Sequence, residues 1–183
     1  MVTDGVTIYT IGHSNLAAGE IVALLLTNEI AAVVDVRSVP HSQYSPQFNR
    51  NALDMTLKQA GIVYKYAGDT LGGRPRDPTC YRSGTIPTGK TKYSDVVLYE
   101  EVARRRWYQA GIRDLIETAR QMRTVIMCSE ENPLRCHRNH LITPTLLREQ
   151  VTVRHIRKGG NIETAMYDPI EESREDHKQM KLL

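Results

Sequence analysis

The chain has no run of 18 apolar residues, and its first 30 residues lack the basic start and apolar centre of a signal peptide. Neither membrane insertion nor export is expected from these features, and a soluble, cytoplasmic protein is the expectation. Only three cysteines occur, Cys80, Cys128 and Cys136, an odd and unevenly spaced set that excludes a secreted disulfide framework and predicts reduced thiols. Internal repeats and a dividing linker are also missing. With 183 residues and 40% hydrophobic content, a single domain over 1–183 is expected. The net charge of +3 permits a phosphate-bearing partner without demanding one.

What is present alternates. Short β-branched runs at 6–13, 30–37, 62–68, 123–128 and 151–160 are separated by stretches of helical period at 17–28, 51–61 and 95–122. That pattern predicts a three-layer α/β/α sandwich around a mostly parallel sheet of about five strands. Asn28 and Gly61 suit helix ends, Asn49 suits a helix cap, and Gly111 suits a break within 95–122. The segment 38–50 is a Pro- and Ser-rich loop. Residues 69–94 form a long basic loop without usable periodicity, carrying Arg74, Arg76, Arg82, Lys90 and Lys92, the kind of connection that is usually a functional lid or a disordered segment. The tail 171–183 is polar, the composition of an unpacked terminus.

Open parallel sheets bind ligands beyond the carboxyl ends of their strands. The polar residues of this chain gather at those ends: Gly12, His13 and Ser14 after the first strand, Asp35 and Arg37 after the second, Gly72, Gly73 and Arg74 after the third, Cys128 and Glu130 after the fourth. One shared cleft is the expectation. Each element also has a plain alternative. His13-Ser14 reads equally as a helix cap. Asp35 and Arg37 alternate along a strand and point to opposite faces unless the strand has already ended. Gly72-Gly73 is either a tight turn or a backbone able to approach a phosphate.

Cys128 ends an apolar run and reads as a buried filler or as a nucleophile whose thiol is acidified by the following helix N-terminus. With Cys136 and His137 it forms C-x7-C-H, which offers zinc two thiolates and an imidazole but lacks a fourth donor and the paired C-x2-C spacing. No cofactor is required by the sequence, and zinc is the lesser alternative. Arg138 is favoured as an anion fork, with Cys136 and His137 beside it. In "RRRWY", Arg104, Arg105 and Arg106 adjoin Trp107 and Tyr108, a pattern that suits nucleic acid, although helical geometry spreads successive arginines over several faces.

The motifs "TIGHS" (10–14), "VVDVRSVPHSQYSPQFN" (33–49), "LGGRP" (71–75) and "CSEENPLRCHRNHL" (128–141) together resemble the family known as domain of unknown function 488. The resemblance implies an α/β fold and a shared residue set that includes Gly12, His13, Ser14, Asp35, Arg37, Phe48, Gly72, Gly73, Cys128, Glu130, Cys136, His137 and Arg138. It names no reaction. In arrangement alone, an Asp-x-Arg after an early strand and a Cys after a later one are similar to rhodanese-type sulfurtransferases.

Three functions follow as expectations. The first is an enzyme acting on a phosphate-bearing substrate, a nucleotide or nucleic acid, with Arg37, Arg138 and Gly72-Gly73 positioning the anion, Ser14 and Arg74 beside them, Glu130 or Asp35 as general acid/base, and Cys128 and His13 as reactive groups. The second is a non-catalytic nucleic-acid or nucleotide module, and the third is thiol or sulfur transfer through Cys128. The oligomeric state is left open.

Overall fold

The structure, a computed structural model, describes residues 5–89 and 91–166. Lys90 and the tail 171–183 lie outside the described residues. Along the chain run β1 (Thr7–Gly12), α1 (Ala18–Thr27), β2 (Ala32–Asp35), α2 (Arg50–Gln59), β3 (Val63–Tyr66), α3 (Gly68–Leu71), α4 (Tyr93–Val96), α5 (Tyr99–Arg104), α6 (Arg106–Gln121), β4 (Thr124–Cys128), α7 (Thr143–Arg148), β5 (Thr152–Ile156) and β6 (Ile162–Thr164).

The five β-branched runs and the short segment Ile162–Thr164 form a six-stranded sheet in the order β3-β2-β4-β1-β5-β6, parallel except for β6, which pairs antiparallel to β5. Strands β2 and β4 are buried on both faces, as continuous apolar runs in a covered parallel sheet must be. On one face Ile21 and Leu25 of α1 and Leu53 and Leu57 of α2 meet Tyr9, Ile11, Val33, Val125 and Met127. On the other, Tyr108, Ile112 and Leu115 of α6 and Leu146 of α7 meet Ile8, Val34, Ile126 and Val153. Alternation along each strand divides the apolar residues between these two layers.

The connections through α1 and α2 run toward β3, and those through α6 and α7 run toward β5 on the opposite face. Adjacent β1 and β4 thus send their chains in opposite directions, which makes their carboxyl ends the switch point where such sheets open a crevice. Gly12 and Cys128 are paired in register at that point.

Several local expectations change. Gly111 does not break the helix; α6 runs straight through it, and the missing side chain lets α6 approach α3, since a Cβ there would lie 2.6 Å from the Thr70 hydroxyl. The break falls at Arg105, between α5 and α6. Asn49 sits at the start of α2 but gives its side-chain oxygen to the Ser42 N–H at 2.6 Å, closing the 38–50 loop rather than capping the helix. The 69–94 segment is not structureless: Leu71, Cys80 and Tyr81 are buried, Tyr81 bridges to Val97, and α3 and α4 punctuate it. No helix among the described residues is long and apolar enough to cross a membrane.

Candidate functional site

At the carboxyl end of the sheet the polar residues form two clusters, one on each side, rather than one cleft. On the α1/α2 side β2 ends at Asp35, so Arg37 is free to turn back and the expected opposition of the two side chains does not arise. The Asp35 carboxylate accepts from the Arg37 backbone N–H (3.1 Å), Nε (2.9 Å) and Nη2 (2.6 Å), and from the Tyr64 hydroxyl (2.8 Å). Both residues are buried. Asp35 is therefore saturated and does not serve as a free general base.

The remaining Arg37 nitrogen, Nη1, donates to His13 Nε2 at 3.2 Å. His13 Nδ1–H donates to the Ser14 carbonyl at 2.9 Å, and the ring stacks on Phe48 at 4.2 Å. These partners fix the neutral tautomer. Burial, opposed by the Ser14 hydrogen bond and reinforced by the Arg37 charge, lowers the His13 pKa to about 4. Arg37 offers no free fork to an anion, and His13 is neutral at pH 7 with both nitrogens occupied. Ser14 is not the α1 cap, which is Ala17 with Glu20 folded back onto its N–H. Ser14 instead holds a left-handed φ of 45° and donates its N–H to the Ser129 carbonyl at 2.8 Å.

On the α6/α7 side lies a sulfur cluster. Cys128 ends β4, and Cys136 follows a short 3-10 turn that starts at Pro133 with Asn132 as its cap. A wide π-turn, Arg138–Ile142, then leads into α7. Pro144 explains the widening: it has no N–H for the carbonyl four residues back and its ring displaces that carbonyl. His137 Nδ1 lies 3.7 Å from both sulfurs, while Nε2–H donates to the Val36 carbonyl at 3.1 Å. The three donor atoms fall within 4.8 Å of one another, and the cysteines are unpaired.

Arg138 is almost wholly buried, and its guanidinium is spent inside the protein. Nε donates to Cys136 Sγ (3.3 Å), Nη1 to the Thr10 hydroxyl (3.0 Å) and Nη2 to the Glu130 carbonyl. Thr10 passes its own proton to His155 Nδ1 at 2.8 Å. The arginine is therefore a brace, not the open anion fork expected from sequence. The Glu130 side chain is exposed, and it is the Glu130 backbone that lies across Gly12, where a Cβ would overlap the Glu130 carbonyl.

The Arg138 guanidinium, hydrogen-bonded to Cys136, favours a thiolate there over one at Cys128. Hydrogen bonding to Cys136 and burial push the Cys128 thiol well up, while Cys136 is held low by the Cys128 S–H and by the Arg138 charge, against its own burial. Tyr99, at the start of α5, is raised by burial and then by the negative potential of Cys136 and Cys128, and it also feels Arg74. It is a neighbour of the cluster that the sequence did not single out.

Gly72 and Gly73 tie this cluster to the basic segment. A Cβ on Gly73 would lie 2.7 Å from His137 Cγ, so only glycine lets this backbone rest on the imidazole. The next residue, Arg74, hangs its backbone N–H on the Ser38 hydroxyl (2.9 Å) and lays its exposed guanidinium over the Tyr93 ring at 4.5 Å. Arg74, Gly89, Thr91, Lys92 and Tyr93 line an open cleft of about 500 Å³.

The "RRRWY" run is not one face. Tyr108 is fully buried, its hydroxyl 3.0 Å from the Leu141 carbonyl and 2.9 Å from Thr145 Oγ1, which removes it as a stacking platform. Trp107 is half-buried against the same core, Arg104 pairs with Glu101 (2.7 Å), and Arg105 pairs with Asp77 (3.3 Å). Arg106 is exposed.

A covered, mostly parallel α/β sheet with thiols, an imidazole and a guanidinium at its switch point defines the class of protein. The chain belongs to the family described as domain of unknown function DUF488, whose model matches residues 17–143. Comparison with curated proteins and with solved structures gives no match.

Proposed function

We propose that the protein is an enzyme acting on a phosphate-bearing substrate, whose anionic group docks in the cleft of Arg74 and Lys92 and whose reacting bond lies against Cys128, Cys136 and His137. The observation that carries this reading is the Gly73 backbone, which rests on His137 on one side and delivers Arg74 into the basic cleft on the other. An open, positively charged concavity next to a cluster of reactive side chains is the usual form of a substrate site.

In this reading Arg37 and Arg138 are positioning residues. The first holds Asp35 and His13 together, and the second braces Cys136 against Thr10 and the Glu130 backbone. Glu130, exposed at the rim, is the carboxylate available for proton transfer. The reduced thiols fit a cytoplasmic setting.

A second reading, sulfur transfer, is favoured by one observation: the Arg138–Cys136 contact, which stabilises a thiolate at Cys136 rather than at Cys128. The reading as a nucleic-acid module has less support, because Tyr108 is buried and Arg104 and Arg105 pair with acids of their own chain, as the exposed Lys92 of the cleft also does with Asp95.

The test is turnover of p-nitrophenyl phosphate and bis(p-nitrophenyl) phosphate, a monoester and a diester, by the full chain. Turnover is expected with at least one of them. Arg74→Glu should raise KM, and Cys136→Ser should lower kcat. If neither ester is turned over and inorganic phosphate does not raise the unfolding temperature, the reading fails.

A further inference from the structure

We infer that Cys128, Cys136 and His137 form a metal centre that takes a thiophilic, tetrahedral divalent ion, zinc above all, with three protein ligands and one open position. The inference deepens the proposed function by naming the reactive group at the end of the cleft. Its measurement is independent of turnover.

The geometry is close to that of an occupied site. Zinc bonds of about 2.3 Å to sulfur and 2.0–2.1 Å to nitrogen at the tetrahedral angle put a sulfur and a nitrogen about 3.6 Å apart. Both cysteine sulfurs lie 3.7 Å from His137 Nδ1. The three donor atoms lie within 4.8 Å of one another, close enough for one ion to draw them together. Two thiolates and an imidazole select zinc and its tetrahedral surrogates over the hard cations magnesium and calcium.

The outer contacts are those such a site needs. A metal-bound histidine is oriented by giving its other ring N–H to a carbonyl or carboxylate, and His137 Nε2–H donates to the Val36 carbonyl at 3.1 Å. That bond leaves Nδ1 as the lone pair facing the sulfurs. A metal-bound thiolate is steadied by N–H donors, and Arg138 Nε donates to Cys136 at 3.3 Å. The Gly73 backbone lies against the imidazole and limits its rotation.

Among the described residues no fourth His, Cys, Asp or Glu joins the trio. Structural zinc sites close with four protein ligands, whereas sites with three leave a position for water or substrate. The open position, at the sheet's switch point and next to the basic cleft, gives the ion the role of polarising a phosphoryl oxygen or activating a water. Cys80, buried outside the trio, takes no part.

The experiment is a Co2+ titration of the metal-free full chain under reducing, anaerobic conditions, followed by visible and near-ultraviolet absorption. One equivalent is expected to produce the intense visible bands of a tetrahedral ion and thiolate-to-cobalt charge transfer, and Zn2+ should abolish both. Cys128→Ser and His137→Gln should lose the bands, and Cys80→Ser should keep them. Cd2+ NMR of the wild-type chain gives a readout that does not depend on the variants folding, with a shift characteristic of two sulfur ligands expected. Wild-type protein that gives no charge-transfer band, or bands that survive Cys128→Ser, would overturn the inference. Metal binding without turnover of either phosphate ester and without a phosphate-induced rise in unfolding temperature would keep the centre and refute the proposed function. Turnover by a chain that binds no Co2+ would do the reverse.

Discussion

His155 offers a quantitative check on the brace behind the sulfur cluster. Its Nδ1 accepts the Thr10 proton, Thr10 accepts from Arg138, and the ring is buried. Burial, then the Arg138 charge, opposed by Glu163, reinforced by Arg157 and opposed by Cys136, brings its pKa from an ordinary 6.5 to about 4. The folded protein thus holds a neutral imidazole where the unfolded chain takes up a proton. Stability must fall as pH drops from about 6.5 to about 4, at up to about 1.4 kcal/mol per pH unit, and no such term exists above pH 7. Between pH 7 and pH 5 this one group costs about 2 kcal/mol. His155→Gln keeps an acceptor for Thr10 but does not titrate. Urea unfolding of both proteins at the two pH values, read by circular dichroism, should show the variant losing about 2 kcal/mol less than the wild type on acidification. His13, lowered by the same cause, and the carboxylates contribute equally to both proteins and cancel in the difference. Equal losses in the two proteins would show that His155 is not held neutral, and the Arg138–Thr10–His155 chain would fall with it.

Four substitutions extend the test. Gly73→Ala places a methyl 2.7 Å from the His137 ring, and thermal unfolding should show a loss of about 1–3 kcal/mol together with weaker Co2+ binding. Arg138→Met strands the Glu130 carbonyl, Thr10 and Cys136 without their donor, and urea denaturation should report a loss of about 3 kcal/mol or more. Tyr108→Phe leaves a buried carbonyl and hydroxyl short of one partner, an expected loss of about 1–2 kcal/mol in the same assay. Arg106→Glu, on the exposed surface, should change stability by less than about 0.5 kcal/mol and leave the phosphate-induced thermal shift intact.

The five runs were legible as strands because β-branched and aromatic residues recur in each, and all five form. β6 was not, since Ile162–Thr164 is short, exposed and without alternation. The 69–94 segment hid its structure because its anchors, Leu71, Cys80 and Tyr81, stand as isolated apolar residues with no period. At the site, the gathering of polar residues at strand ends could be read from position alone. Their division into two clusters could not, because alternation stops at Asp35 and nothing in the sequence says that Arg37 turns back. Arg138 looked like an anion fork for the same reason: the residue type announces a guanidinium, and only the fold reveals that its donors are already taken. Tyr99, Thr10 and His155 were missed since the first sits among helix-forming residues and the others sit inside strands, where polar side chains read as sheet filler.

The claim that most needs testing is that the basic cleft and the sulfur cluster are two ends of one site. Crystals of the full chain soaked in tungstate, a phosphate analogue with strong anomalous scattering, test it directly. The account predicts an anomalous peak held by Arg74 and Lys92, beside His137 and the two thiols. Peaks confined to Arg104 and Arg106, or a cleft left empty while tungstate binds elsewhere, would contradict it.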